Sequence, residues 1–284
     1  MKSAQIRVGA KQFTVDVTWI LLTLVVLILT FFPIYWMVIG SFRANIELFQ
    51  FPPALFAKKL TSIAYATILK ESDFVASLTN TVVVAASTTV LSIVIAALGS
   101  YGLSRYRFKG KRLIQYYILL TQMLPEVLLT LPFFVMYTKI GLYDTKIGLI
   151  IAYTSFTLPF CTLALRGFIS SIPRSLDEAG RIDGCNAMQI FLLIILPSAR
   201  AGILATGVFA LVNAWNEYLM AIVLTDTIRA KMLVVLIASK IGQYDIKWNE
   251  LMAITVIASL PLIVLYSVIQ RSFMKGITSG AIKM

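Results

Sequence analysis

The stretch PRSLDEAGRIDGCNAMQIFLLIILP, Pro173 to Pro197, is a polar island in a very apolar chain. Pro173 suits the first turn of a helix, and Asp177 and Glu178 sit near that helix's positive end. Leu176, Ala179 and Gly180 fall at i, i+3 and i+4, which predicts a short helix with one small, apolar face. Gly184 can take the left-handed conformation that stops it. A second apolar helix, Met188 to Leu196, is expected to follow and to break at Pro197. The stretch thus reads as a small helix–turn–helix with a smooth face and a charged one. Such a shape docks into another protein's groove; it is not a catalytic site.

The surroundings are those of a membrane. Of 284 residues, 59% are hydrophobic and 13% charged, with a mean hydropathy of +0.86. Soluble domains average nearer 45–50% apolar and about 25% charged. The net charge of +12 is therefore read by side of membrane before any nucleic-acid partner is considered. No histidine is present, which removes the usual general base and the commonest metal ligand. Cys161 and Cys185 have no metal-type spacing and fall in or beside the cytoplasmic half of the reading below, so neither a metal site nor a disulfide is expected.

Charge-poor windows define the spans. Asp16 to Arg43 encloses 26 uncharged residues, Asp73 to Arg105 encloses 31, and Lys146 to Arg166 encloses 19. Glu250 to Arg271 encloses 20, while Arg112 to Lys139 and Arg200 to Asp226 enclose 26 and 25 with one charge each. A span needs about 20 apolar residues. Six helices are expected, near 17–40, 78–103, 113–137, 147–166, 202–224 and 251–270, in one all-α transmembrane domain. The first is too long for a cleaved signal peptide and lacks its cleavage site. Placing both termini, the 105–112 loop and the 166–200 loop in the cytoplasm puts 15 Lys and Arg inside and 10 outside. The densest cluster, Arg105, Arg107, Lys109, Lys111 and Arg112, lies beside two spans, where positive charge weighs most. The basic balance is thus an orientation signal, and no nucleic acid is needed to explain it.

Two carboxylates, Glu126 and Glu217, lie well inside spans. A lone carboxylate at the bilayer centre costs at least about 2.5–3.5 kcal/mol, so each should face the bundle interior or water. Glu126 follows the helix breaker Pro125, and with Pro132 in the same span a kink or break facing a cavity is expected. Glu217 belongs to a polar, aromatic patch, Asn213, Trp215, Asn216, Glu217 and Tyr218. Aromatic rings with amides and a carboxylate suit a neutral polyol; the alternative is that Trp215 and Tyr218 form an interfacial belt with Glu217 bonded between helices. On an unbroken helix Glu217 would stand about 13 Å from Asp226, partway into the membrane. In the loop from Arg43 to Asp73, the cluster Phe49, Phe51, Pro52, Pro53, Leu55 and Phe56 reads as an interfacial anchor, with contact to a partner as the alternative.

The opening stretch resembles the EAA loop of ABC-importer permeases: Glu-Ala-Ala, three residues, Gly, nine residues, then Ile-x-Leu-Pro. Here Glu178, Ala179, Gly180, Gly184, Ile194, Leu196 and Pro197 keep that spacing, with Gly180 in place of the second Ala. That replacement keeps the small face and weakens the helix by about 1 kcal/mol. Other pieces are similar to the carbohydrate-uptake branch: Ser100 to Arg105 with the basic loop, Leu124-Pro125, Leu158-Pro-Phe160, Trp215 to Leu219, and the tail from Gln270 to Lys283. Ala201, where the branch often has a second proline, departs from it.

The resemblance implies a type I importer permease fold in a bacterial or archaeal inner membrane. It implies a second, homologous permease, two cytoplasmic ATPase subunits and an extracytoplasmic binding protein that delivers the sugar. Leu176, Asp177, Glu178, Ala179, Gly180, Arg181, Asp183 and Gly184 would form the ATPase-coupling face, within a cytoplasmic loop at 167–200. Gly276, Thr278, Gly280 and Lys283, in a tail at 271–284, would reach the ATPase interface as in some members. The chain has no GxxxxGK[ST] phosphate loop, so ATP and Mg²⁺ are expected on another chain and no cofactor on this one. A phosphorylated polyol or another solute would fit nearly the same framework. A secondary transporter would want an ion relay that two glutamates without a basic partner make poorly. A membrane enzyme would want a nucleophile with a base nearby.

Overall fold

The structure, a computed structural model, describes the backbone of residues 2–241 and 246–281 and the side chains of 18–241 and 246–267. Among the described residues every regular element is helical. They are α1 (Lys2–Ser41), α2 (Asn45–Leu48), α3 (Ile63–Lys70), α4 (Ser72–Arg105), α5 (Lys111–Met123), α6 (Glu126–Lys139), α7 (Lys146–Ser171) and α8 (Ser175–Ile182). After them come α9 (Ala187–Gln189), a π-helical segment (Ile190–Ile195), α10 (Leu196–Ser198), α11 (Arg200–Asn216), α12 (Leu219–Leu224), α13 (Leu233–Ile241) and α14 (Trp248–Ala281).

Four of these are long and apolar enough to cross a membrane: Thr18–Ser41, Ser72–Arg105, Lys146–Ser171 and Trp248–Ser267. Two bent pairs bring the number to as many as six. One is α5 with α6, at 97°, and the other is Ala187–Ser198 with α11, at 77°. The first break falls at Leu124–Pro125, where proline cannot donate to the helix and its predecessor leaves the helical region. Pro132 stays inside a continuous α6. The second break lies at Ala199, φ −85°, and not at Pro197. Pro197 sits in the first turn of α10, where a missing N–H costs little.

By its contacts the chain divides into two units, 1–70 with 244–257 and 71–243 with 258–284. In the first, the apolar side chains of α1 from Trp19 to Val38 are largely exposed, as lipid-facing residues are. Past α1, Ser41 shares a 2.7 Å hydrogen bond with the Tyr65 hydroxyl, and the Phe42 and Tyr65 rings lie 4.9 Å apart. Phe49, Phe51, Leu55 and Phe56 are all exposed.

In the second unit α4 and α7 are the most extensively packed pair. The buried side of α4 is built on small residues. Ser77, Thr81, Ala85, Thr88, Ser92, Ala96 and Ser100 recur at helical spacing on α4, and all are buried. Small side chains let two helix backbones approach where lipid offers no hydrophobic driving force. The Ser100 hydroxyl donates to the Thr162 carbonyl at 2.7 Å, and Ser104 and Ser170 share a 3.0 Å bond. Around this pair Val84, Leu149, Tyr153, Trp215, Met220 and Leu224 form one core, and Cys161, Leu165, Phe191 and Ala210 another.

Candidate functional site

The polar island folds as two short helical pieces joined at Gly184. Gly184 has φ +83°. Its N–H donates to Arg181 at 3.1 Å, and that of Cys185 donates to Gly180 at 2.9 Å. These two bonds are a Schellman cap, which needs a left-handed residue where α8 stops. The next turn opens with a reciprocal cap: the Gln189 N–H donates to Asn186 Oδ1 and the Asn186 N–H to Gln189 Oε1. The apolar run after it winds as a π-helix between Ile190 and Ile195. Ile190 and Ile195 are buried with Ile169 and Ala199.

The buried positions of α8 do not follow the apolar face read from the sequence. Asp177 and Gly180 are buried, while Leu176 and Ala179 are exposed. Asp177, expected on the coupling face, is buried. Its carboxylate pairs with Arg105 at the end of α4, Oδ2 to Nη2 at 3.1 Å and Nε to Oδ1 at 3.2 Å. Arg105 also donates to the Ile172 carbonyl, and Arg174 to that of Ser104. Burial left this carboxylate a choice between a cation and a desolvation cost, and the cation comes from another helix. A Cβ added at Gly180 would lie 2.7 Å from Ile194 Cδ1 and 3.2 Å from Ile190 Cγ1. Glycine at this position therefore suits the approach of the π-helical segment. Glu178, Arg181, Asp183 and Gly184 are exposed. So is Ile182, which is 86% exposed at the tip of α8; its apolar side chain on the polar face was the signal for it in the sequence.

The two glutamates read from the sequence as intramembrane line one cavity. A cavity of about 280 Å³ is lined by Thr121, Gln122, Leu124, Glu126, Tyr153, Phe156, Thr157, Phe160, Phe209, Asn213, Ala214 and Glu217. It lies where α5 breaks from α6 and where α11 breaks from α12. Glu126 Oε1 is buried and has no hydrogen-bond partner among the described residues. Glu217 is not on a continuous helix, contrary to expectation. α11 ends at Asn216, Glu217 is extended with φ −68° and ψ 113°, and α12 begins at Leu219. Local chemistry holds the break open. Glu217 Oε1 accepts the Met220 N–H at 3.0 Å, and the freed Glu217 carbonyl accepts the Tyr153 hydroxyl at 3.2 Å.

The rest of the aromatic patch scatters. Asn213 lines the cavity, and its amide donates to the Phe209 carbonyl. Trp215, 6% exposed, packs into the core. Asn216 donates to its own helix at Val212, and Tyr218 is exposed; neither lines the cavity. The aromatic lining comes instead from Tyr153, Phe156, Phe160 and Phe209, with the last two rings stacked 3.7 Å apart. Sequence reading missed these side chains and Gln122, because apolar rings on an apolar helix carry no local mark. The side chains of Gly276, Thr278, Gly280 and Lys283 lie outside the described residues.

The chain matches relatives over most of its length. Residues 88–279 match the family of binding-protein-dependent transport system inner membrane components. It is 32% identical over 259 residues to the inner membrane ABC transporter permease protein YcjP of Escherichia coli, covering 90% of this chain and 92% of that one. The figures are the same for the trehalose/maltose transport system permease protein MalG of Thermococcus litoralis. Among solved structures, a chain of a bacterial ABC transporter involved in the import of the acidic polysaccharide alginate superposes with a TM-score of 0.82. It is 24% identical and covers 91% of this chain and 96% of that one. The inward-facing MetNI methionine transporter gives 0.58 at 17% identity, covering 74% and 97%. The long apolar helices, the capped loop and these matches together place the chain: it is a multi-pass membrane protein with the type I importer permease fold, and it belongs to the family of binding-protein-dependent ABC transporter inner membrane components.

Proposed function

We propose that this chain is one half of the transmembrane pair of an ATP-driven importer that carries a neutral carbohydrate, such as a sugar, oligosaccharide or polyol. The observation that supports it most is the cavity: two carboxyls and two amides set among four aromatic rings. Rings stack on the apolar faces of a sugar, and carboxyls and amides bond its hydroxyls. The lining includes no Lys or Arg, which disfavours a phosphorylated or otherwise anionic solute. Curated relatives of similar identity are named for diacetylchitobiose and trehalose uptake.

In this reading an extracytoplasmic binding protein delivers the solute, a second permease completes the pathway, and two ATPase subunits supply the energy. The termini and the loops 105–112 and 167–200 face the cytoplasm, with the spans as read from the sequence. The exposed residues of α8 and its C-terminal cap, namely Leu176, Glu178, Ala179, Arg181, Ile182, Asp183 and Gly184, dock on an ATPase, while Asp177 holds α8 to α4 and Gly180 admits the π-helical segment. Gly276, Thr278, Gly280 and Lys283 extend that contact. Motion at α8 has two routes to the cavity. Arg105 leads into α4, which packs on α7 and so on Tyr153, Phe156, Thr157 and Phe160. The π-helical segment leads into α11 and so to Phe209, Asn213 and Glu217. ATPase closure would then rock both walls together.

The test is purification of a tagged chain in mild detergent with mass spectrometry of what accompanies it, then reconstitution with those partners. Co-purification of an ATPase and a second permease, with ATP-dependent sugar uptake in liposomes, is expected. Solute movement by the chain alone, without ATP, would replace this reading with a secondary transporter.

A further inference from the structure

A second concave site lies on the loop after α4. Arg107, Phe108, Gly110, Lys111, Arg112, Leu113, Gln115 and Arg166 line a pocket of about 640 Å³. Four of these are cations and none is an acid. Arg166 comes from α7 and the others from the loop and the start of α5, so the tertiary fold gathers them. Among the described residues Arg107, Arg112 and Arg166 enter no ion pair. Lys111 donates to the Tyr106 carbonyl. Arg105, two residues before Arg107, is paired with Asp177.

The position of this pocket follows from the helices around it. The candidate span Ser72–Arg105 ends two residues before Arg107, and α5 begins at Lys111. The pocket therefore lies where a candidate span ends and the apolar face of α5 begins. Directly after the basic residues, α5 exposes Leu113 (72%), Tyr116 (60%) and Tyr117 (68%). Tyrosines near the end of a span are interfacial anchors, and exposed leucine suits acyl chains. A protein partner with an acidic face would complement the charge and leave this apolar flank unexplained.

We infer that the pocket binds the headgroup of an anionic phospholipid, with Arg107, Lys111, Arg112 and Arg166 around the phosphate and Leu113, Tyr116 and Tyr117 along the acyl chains. The lipid would brace the loop that joins α4, the helix tied to α8, to α5 beside the cavity. Each basic residue near an anionic headgroup strengthens binding by about fivefold.

The test is native mass spectrometry of the purified full chain titrated with phosphatidylglycerol or with phosphatidylcholine of the same acyl chains. Preferential retention of phosphatidylglycerol is expected. R107Q/R112Q/R166Q should lower it on the order of 100-fold without changing phosphatidylcholine adducts, while R107K/R112K/R166K retains most of it. K58Q/K59Q, on a different loop, should match wild type. Should the triple variant lose its helical circular dichroism, the single variants are read instead, each about fivefold weaker. Wild-type retention by the glutamine variants, or equal loss in K58Q/K59Q, overturns the inference. Undiminished lipid retention with lost ATPase co-purification would assign the pocket to an acidic protein partner and overturn it too.

Discussion

Arg105 and Asp177 join the last turn of α4 to the first turn of α8 through two contacts of 3.1 and 3.2 Å, with both side chains mostly buried. Removing one partner strands the other. Asp177→Asn and Arg105→Gln are each expected to destabilise the chain by about 3 kcal/mol. The double variant should cost less than the sum of the two, because each single change already loses the pair. Thermal unfolding of the four proteins in one detergent measures the cycle. Additive losses would mean that the contact carries no coupling.

Gly184 is the second point at which α8 is fixed. A side chain at φ +83° is strained by about 1–2 kcal/mol, and proline also removes the N–H that bonds Arg181. Gly184→Ala is expected to weaken solute-stimulated ATP hydrolysis in the reconstituted complex. Gly184→Pro or Gly184→Asp should abolish it while membrane insertion stays intact. Normal stimulated turnover in the proline variant would remove α8 from the coupling route.

In the cavity, Glu217→Gln keeps an oxygen for the Met220 N–H, so its effect reports on the solute rather than on the helix break. Uptake with a raised KM is expected for it and for Glu126→Gln. Phe160→Ala removes a ring stacked on Phe209 and should raise KM by about tenfold, the worth of one lost ring contact. If uptake kinetics of all three match wild type, the principal contacts belong to the partner permease.

Asp144, in the loop between α6 and α7, gives a pH dependence. Its partial burial alone would raise its pKa. Bonds from the Thr227 hydroxyl and the N–H groups of Asp226 and Thr227, with Arg229 nearby, outweigh that and hold it below the usual carboxylate value. A lowered folded-state pKa means stability that is present above the unfolded pKa, near 3.9. It is lost as pH falls through the folded value. Wild type should therefore lose unfolding temperature below about pH 4 more steeply than Asp144→Asn. Asparagine tolerates the positive φ of 56° at this position. Parallel curves of unfolding temperature against pH would refute the assignment.

Much of this protein was legible because the signals are local. The apolar windows, the break at Pro125 and the left-handed stop at Gly184 follow from hydrophobicity, a missing N–H and a missing Cβ, none of which needs a distant residue. The family pattern of the loop is local as well. The orientation of Asp177 was not legible: its helical position allowed either face, and the choice was made by Arg105 on another helix. Nor was the break at Glu217, which depends on a hydroxyl from Tyr153 on α7. Sequence alone placed Glu126 and Glu217 each in a membrane and made each costly there. That they share one cavity, with Phe160 and Phe209 beside them and Trp215 turned away, was decided by packing. Only when α4, α7 and α11 pack together do two helix breaks, distant in the chain, come to line one cavity.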